Sequence, residues 1–231
     1  MAHSRYPWTL GRRTFIGGSD ARVIMGDDEA ALIRLWREKR GEAEPEDLSG
    51  NLVVQLGAAT EELNRSWYER NTGRRVTDVQ RRVKHSAIPW MVATLDGIVE
   101  GTEAVFESKF MLPWSFSEEA AAEKYLAQLQ HNMWVTHLRT SVLSIITGGG
   151  KWVEITIPMD PLYLSVLCGK EVLALRAVRR DTASDHGRGA ATAHRGDPHR
   201  RYELIQLLEG VRGAISKYPR CVYRPRASSR A

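Results

Sequence analysis

A β-hairpin is predicted by two neighbouring segments, Thr94-Leu95-Asp96-Gly97-Ile98 and Ala104-Val105-Phe106-Glu107-Ser108-Lys109-Phe110, which a short polar turn joins. Because side chains alternate between the two faces of a strand, Glu107 and Lys109 point to the same face. If Asp96 ends the first strand, its carboxylate converges on one small site with the Glu107 carboxylate and the Lys109 ammonium.

Such a site has the groups needed to hydrolyse a phosphodiester bond. Two carboxylates supply the hard oxygen donors that Mg²⁺ or Mn²⁺ prefers, and a lysine beside the metal can orient a water and help to deprotonate it. The alternative is a hairpin whose exposed face carries a solvated pair of Glu107 and Lys109, since charged side chains are mostly exposed.

A long helix is predicted over Leu52–Thr72, and Gly73 follows its last turn. Apolar side chains recur at helical spacing and predict a buried stripe, which consists of Leu56, Ala59, Leu63 and Trp67. Glu61 lies one turn from Gly57, where the missing side chain leaves room for a backbone or a substrate to approach the carboxylate. The alternative is that Glu61 is an ordinary carboxylate at the rim of the fold.

A second helix is predicted from a capping box near Ser115–Glu118 to about His137. Its buried stripe is formed by Leu126, Leu129 and Met133, whereas a different face carries Tyr125, Gln128 and Asn132. Polar side chains in such a row usually face solvent. Here the helix follows directly on the strand that carries the carboxylate and the lysine, so the row can instead border the metal site.

The remaining patterns predict a mixed β-sheet flanked by helices. Further helices are expected over 19–25, 28–40 and 161–179, and strands near 75–85, 90–100, 104–110, 141–147 and 152–157. The last two strands flank Gly148-Gly149-Gly150, which predicts a hairpin turn.

The order and spacing of four motifs resemble the lambda exonuclease and YqaJ viral recombinase family, within the PD-(D/E)xK nuclease superfamily. The motifs are Arg12-x6-Ser19, Gly57-x3-Glu61, Asp96-Gly97 with Glu107-x-Lys109, and Tyr125-Leu-Ala-Gln128-Leu-Gln130 before Met133-Trp-Val-Thr136. The last is the most specific, and the resemblance covers residues 12–160. It implies an α/β core of the restriction-endonuclease type.

The resemblance also implies a role for each residue of the predicted metal site. Asp96 and Glu107 would hold the catalytic metals, with Glu61 aiding at the second metal. Lys109 would position and activate the attacking water. Gln128 would hydrogen-bond near this lysine or the scissile phosphate. The resemblance also places Tyr125 on the same wall of the metal site as Gln128.

The first motif implies recognition of a 5′ end, because Arg12 would engage the terminal phosphate with Ser19 beside it. Elementary chemistry agrees, because a glycine turn at Gly17-Gly18 with Ser19 as the N-cap of a helix offers free backbone donors to an anion. An arginine presents a planar fork that suits phosphate. The alternative is simply a well-capped helix.

Charge and cysteine content fit a cytoplasmic nucleic-acid enzyme of a bacterial or phage-infected host cell. Cys168 and Cys221 have no metal-ligand spacing and are expected to be free thiols. We see no leader pattern and no apolar run of membrane-spanning length. Residues 176–231 hold 13 Lys and Arg against 5 Asp and Glu, whereas the rest of the chain is slightly acidic.

Three regions are predicted along the chain. A nuclease domain spans residues 1–180, a flexible low-complexity segment spans 181–201, and a short helix with a basic tail spans 202–231. The tail can add non-specific phosphate contacts or can be solvated without a specific role.

The expected function is a Mg²⁺- or Mn²⁺-dependent exonuclease that degrades one strand of linear duplex DNA from its 5′ end. The 3′ single strands would serve phage-type recombination, with a single-strand annealing protein as a partner, and the family implies a ring-shaped homotrimer. The alternatives are an endonuclease, a nuclease of opposite polarity on the same core, or a DNA-end-binding module without catalysis.

Overall fold

The computed structural model of the chain describes residues 12–186. Its helices are α1 (Gly18–Met25), α2 (Glu29–Arg40), α3 (Leu52–Thr72), α4 (Glu118–Thr136) and α5 (Pro161–His186), with a short 3₁₀ turn at Pro113–Ser115. Its strands are β1 (Val76–Thr77), β2 (Arg82–Lys84), β3 (Val92–Thr94), β4 (Gly97–Val99), β5 (Ala104–Met111), β6 (Thr140–Thr147) and β7 (Trp152–Pro158).

Five strands form one mixed sheet in the order β1-β4-β5-β6-β7. Only β5 and β6 run parallel among the described strands, and α4 makes the crossover that a parallel pair requires. Strands β2 and β3 form a separate antiparallel pair. The predicted α/β class, with a mixed sheet and flanking helices, is confirmed.

The two faces of β5 contact different helices because its side chains alternate. Phe106 packs against Tyr68 of α3, with ring centroids 5.1 Å apart. On the other face Val105 joins a buried cluster with Met133 of α4. Glu107 and Lys109 share the face of Val105, so the sheet presents both charged side chains to α4.

The stripe predicted on α3 is wrong, because its side chains are not buried. Leu63 and Trp67 are 50% and 41% exposed. The helix instead turns Asn64 and Tyr68 inward, and the Asn64 amide donates to the carbonyl of Ser144 at 2.9 Å. An amide that satisfies backbone groups at the sheet replaces the expected aliphatic packing, which hydrophobic periodicity cannot reveal.

Two segments that were each predicted as one strand are interrupted. The segment 75–85 contains a turn in which Asp78 and Gln80 have φ of 54° and 56°, and it gives β1 and β2. The segment 90–100 breaks at Asp96 and gives β3 and β4, which pair with different strands. Asp96 therefore ends no strand, contrary to the prediction: it lies between the two and directly precedes β4.

The start of α1 also differs from the prediction, because its N-cap is Gly17 rather than Ser19. The Asp20 side chain accepts a hydrogen bond from the Gly17 N–H at 2.8 Å, so this carboxylate closes the first turn. Ser19 is left exposed within that turn.

At the other end of the described chain, α5 continues to His186, beyond the predicted end at 179. Residues 181–186 are therefore helical, whereas the rest of the predicted flexible segment and the whole 202–231 region lie outside the described residues, as does Cys221. Cys168 is a free thiol. No helix between residues 12 and 186 has the length and apolar character to cross a membrane.

Candidate active site

Glu107 is the centre of the site, and its carboxylate is almost completely buried, with 1% of the residue exposed. Its Oε1 accepts hydrogen bonds from Lys109 Nζ and from Gln128 Nε2, both at 2.5 Å. Its Oε2 accepts one from Asn132 Nδ2 at 3.2 Å. The alternative of a solvated glutamate–lysine pair is therefore wrong, because the sheet and α4 enclose the carboxylate.

Asp96 lies beside this cluster at the break between β3 and β4. Gly97 pairs with Phe106 in the antiparallel ladder, which brings Asp96 opposite Glu107. Its Oδ2 accepts a hydrogen bond from the Ser108 N–H at 2.9 Å. The hairpin thus brings together the two carboxylates and the ammonium that the sequence grouped, because its register fixes both strands.

Burial and neighbouring charges shift the pKa values of Glu107 and Lys109. Burial raises the pKa of Glu107 to about 7; Lys109 opposes this shift, whereas Asp96 and Glu61 add to it. Burial works to lower the pKa of Lys109, but the neighbouring carboxylates of Glu107 and Asp96 hold it above its ordinary value. Negative charge is thus costly at Glu107 even with Lys109 beside it, and a further cation would stabilise the ionised carboxylate.

Glu61 approaches from α3 and is half-buried. Its Oε1 accepts a hydrogen bond from Gln80 Nε2 at 2.5 Å, and its charge contributes to the raised pKa of Glu107. A Cβ at Gly57 would meet open space, so no backbone approaches the glutamate there. Among residues 12–186, no three carboxylate, imidazole or thiolate side chains are grouped closely enough to hold a metal ion.

Tyr125 forms the wall beside the lysine. The residue is 5% exposed, and Lys109 Nζ lies 5.4 Å from the ring centroid. The row of Tyr125, Gln128 and Asn132 therefore faces the carboxylates rather than solvent, as one of the two interpretations of α4 predicted.

A cavity of about 310 Å³ adjoins the carboxylates on the side of α1. It is lined by Arg12, Phe15, Gly17, Gly18, Ser19, Asp20, Arg82, Val92, Thr94, Gln128 and Asn132. Arg12 and Ser19, which the sequence placed at a common phosphate site, both line it. Gln128 and Asn132 connect the cavity to Glu107.

Lys39 fixes the wall of this cavity that contains Arg12. Its buried ammonium donates to Asp20 Oδ2 at 2.6 Å and to the carbonyls of Arg12 and Phe15 at 2.8 and 2.7 Å. Burial lowers the pKa of Lys39 against the pull of the Asp20 carboxylate. Since Asp20 also accepts from Arg12 Nη2 at 3.4 Å, one carboxylate orients both the lysine and the arginine.

Sequence reasoning gave no role to two residues of the site, although it placed one of them, Asn132, in the row on α4. Asn132 is 1% exposed and binds Glu107, and a signal was available, since it lies on the α4 face of Gln128. Arg82 lines the cavity with its guanidinium 4.3 Å from the Phe15 ring centroid. Its position had no signal, because β2 reaches the cavity only through its pairing with β3.

The close approach of α1 to α4 gives a first prediction. A Cβ at Gly18 would lie 2.6 Å from Asn132 Oδ1 and 3.0 Å from Gln128 Cγ. Gly18→Ala should therefore displace the side-chain amides of Gln128 and Asn132, which bind Glu107. We expect it to lower the free energy of unfolding by about 1–3 kcal/mol and to slow the DNA cleavage that the sequence predicts. Chemical denaturation and a cleavage assay measure the two effects. Gly169→Ala is the control, because that helical glycine has open space around it; equal behaviour of both variants would contradict the packing argument.

Comparison with known families gives one match that covers more than half of the chain. The family model of the YqaJ-like viral recombinase domain matches residues 7–139. A curated relative, the uncharacterized protein YqaJ of Bacillus subtilis, is 27% identical over 175 residues, which is 73% of this chain. The match covers 54% of that relative, so the chain spans about half the length of the protein it resembles.

Solved structures share the fold at low sequence identity. The alkaline exonuclease LHK-Exo from Laribacter hongkongensis superposes with a TM-score of 0.62 at 18% identity, covering 75% of this chain and 92% of that one. A phage-related exonuclease from Haemophilus somnus 129PT gives 0.59 at 13% identity, covering 74% and 96%. LHK-Exo has also been solved in complex with dAMP, with a TM-score of 0.62 at 19% identity, covering 75% and 92%.

Proposed function

Because the chain belongs to the YqaJ-like viral recombinase domain family, we propose that it is a Mg²⁺-dependent exodeoxyribonuclease. It would degrade one strand of linear double-stranded DNA from the 5′ end and leave 3′ single strands for recombination. The observation that carries this proposal is the buried Glu107 carboxylate, which Lys109 and Gln128 bind beside Asp96. A cavity lined by Arg12 adjoins it.

The carboxylates fit a hard divalent cation. Mg²⁺ is usually held by one or two carboxylates with waters and substrate phosphates, so Asp96 and Glu107 suffice, and Glu61 would aid at a second metal. The raised pKa of Glu107 supports the assignment, since a cation would stabilise its ionised form. When bound, Mg²⁺ or Mn²⁺ supplies Lewis acidity and helps to generate the nucleophile.

The protein side chains then divide the work of hydrolysis. Lys109 would position and activate the attacking water, because it lies on the same face of β5 as Glu107 and its positive charge would favour ionisation of that water. Gln128 fixes the carboxylate and borders the cavity, so it can also contact the scissile phosphate. Tyr125 closes the wall beside Lys109 and limits access of bulk water.

The cavity beside the carboxylates would hold the terminal 5′-phosphate. Arg12 offers a planar fork of donors, and Ser19 offers a hydroxyl and a backbone N–H in the first turn of α1. A phosphate bound there would place the next phosphodiester near Asp96 and Glu107. The enzyme would therefore act at ends.

A cycle of four rates tests the assignment of Arg12 to the 5′-phosphate. Removing the terminal phosphate should slow the wild type by about 10- to 150-fold, the cost of roughly 1.5–3 kcal/mol for a charge-assisted contact. It should slow Arg12→Ala far less, because the contact is already missing. Rates are measured on linear duplexes with 5′-phosphate or 5′-hydroxyl at one salt concentration, since phosphate contacts depend on salt.

Arg13→Ala is the matched control, because this neighbour pairs with Glu44 and does not line the cavity. If the phosphate and Arg12 effects multiply, Arg12 does not bind the 5′ end. A closed circular duplex should survive every variant. Cutting of circles as fast as linear DNA would instead establish an endonuclease, and binding of ends without cleavage would establish a recruitment module.

DNA ends are the partner that this proposal requires. An annealing protein and a homotrimeric ring, both implied by the family resemblance, stay predictions. Analytical ultracentrifugation of the full chain measures the oligomeric state.

A further inference from the structure

Three cations surround the ring of Tyr125. Besides Lys109 Nζ at 5.4 Å, the guanidinium of Arg22 lies 5.6 Å and the ammonium of Lys124 lies 5.5 Å from the ring centroid. Arg22 belongs to α1 and Lys124 to α4, so the group depends on the contact between the two helices. We call Arg22, Lys124 and Tyr125 the cationic ledge.

The two outer cations have no carboxylate partner within the described part of the chain. No ion pair of Arg22 or Lys124 is found between residues 12 and 186, and both residues are exposed. The charge of the adjacent Glu123 adds to the raised pKa of Tyr163 on α5, and Glu123 forms no ion pair with Lys124 in the described part of the chain. Positive charges gathered without a counterion repel one another and create a potential that attracts anions.

The position of the cationic ledge relates it to the active site. Gly18 packs closely against Gln128 and Asn132 of α4. Arg22, one turn further along α1, lies over the ring of Tyr125. The two helices therefore run antiparallel, with the cavity at one end of their contact and the ledge at the other. Tyr125 and Asn132 are seven residues apart, or about 10 Å along a helix. Gln128, which binds Glu107, lies between them.

We propose that the cationic ledge binds a backbone phosphate of the degraded strand, on the side of the carboxylates opposite to the terminal-phosphate cavity. This rests on the proposed function and extends it with a second anchoring point. With the end in the cavity and the scissile phosphate at Glu107, the strand continues along α4. The next phosphate 3′ of the scissile one then meets Arg22 and Lys124.

Contacts on both sides of the scissile phosphate would fix the orientation of the strand in the active site. The terminal phosphate alone leaves the nucleotide free to rotate about one contact. A second contact beyond the scissile bond fixes the direction of the strand over Glu107 and Lys109, which lowers the entropic cost of reaching the reactive geometry.

Binding measured without cleavage tests the proposal. Arg22→Gln and Lys124→Gln should each weaken binding of a 5′-phosphorylated duplex about 10-fold in EDTA. Each should also reduce the slope of log Kd against log salt by about 1, as expected for one lost phosphate contact. Fluorescence anisotropy of labelled DNA gives both quantities. Arg70→Gln is the control, since that guanidinium also lies over an aromatic ring, Trp67, at 5.2 Å, but on α3.

Chemical neutralisation of one phosphate locates the contact. A methylphosphonate at the phosphate next to the scissile one, on its 3′ side, should weaken wild-type binding about 10-fold and should add little to the loss in Arg22→Gln. Equal losses in wild type and variant, or unchanged binding by both Arg22→Gln and Lys124→Gln, would overturn the proposal. Because binding is measured in EDTA, an enzyme that fails to degrade linear DNA in Mg²⁺ refutes the proposed function separately.

Discussion

Asp96→Asn and Glu107→Gln should each abolish cleavage of linear duplex DNA while the protein still folds and binds DNA. The reason is that each substitution removes one anionic oxygen donor of the proposed metal site but preserves its shape. In Asp96→Asn the amide oxygen can still accept from the Ser108 N–H, as Asp96 Oδ2 does at 2.9 Å. In Glu107→Gln the new amide can keep part of the hydrogen bonding to α4.

The measurements are cleavage in Mg²⁺, Mn²⁺ affinity by calorimetry and DNA binding by anisotropy. Glu100→Ala is the control, because this exposed carboxylate lies at the end of the same hairpin without facing the cluster. Loss of cleavage together with loss of Mn²⁺ binding supports metal ligation. An active Asp96→Asn enzyme, or nuclease activity in EDTA, would refute the metal site.

Lys109→Ala should slow the chemical step on the order of 10²-fold or more, the scale of losing one preorganised donor at the reacting group. Lys109→Arg should not restore the rate, since the planar fork of a guanidinium differs from an ammonium in shape and in the directions of its donors. Single-turnover rates at saturating DNA separate this loss from any loss of binding. Near-normal turnover of the arginine variant would show that the lysine acts only through its charge.

Burial makes a stability control necessary for this lysine. Its ammonium satisfies Glu107 Oε1 at 2.5 Å, so truncation also leaves a buried carboxylate with one donor fewer. Thermal unfolding of each variant shows whether the protein remains folded at the assay temperature. Lys151→Ala provides the matched control, because this lysine lies over the Phe116 ring at 5.2 Å, away from the carboxylates.

The sequence by itself determined the local arrangement of the hairpin. Strand alternation places Glu107 and Lys109 on one face whatever else the chain does, because it depends only on backbone geometry. The bounds of α3 and its end at Gly73 followed from helical spacing and a left-handed glycine, here with φ of 71°. The row on α4 was also visible, although sequence alone left open whether it faced solvent.

Only the tertiary structure decided which of these surfaces are buried. The apolar stripe of α3 is exposed and Asn64 is buried, because the sheet offers carbonyl groups that an amide can satisfy and an aliphatic side chain cannot. Hydrophobic periodicity reports which side chains share a face, but it carries no information about the groups opposite that face.

The cavity and the cationic ledge are likewise properties of the assembled fold. Arg12, Arg82 and Asn132 come from segments far apart in sequence. The contact of α1 with α4 brings the first of them to Asn132, and the pairing of β2 with β3 adds Arg82. Local propensities act over a few residues, whereas burial and pKa depend on every element that packs around a group. The pairing of Glu107 with Lys109 therefore followed from their positions on one strand. The burial of the Glu107 carboxylate, by contrast, depends on helices distant in sequence.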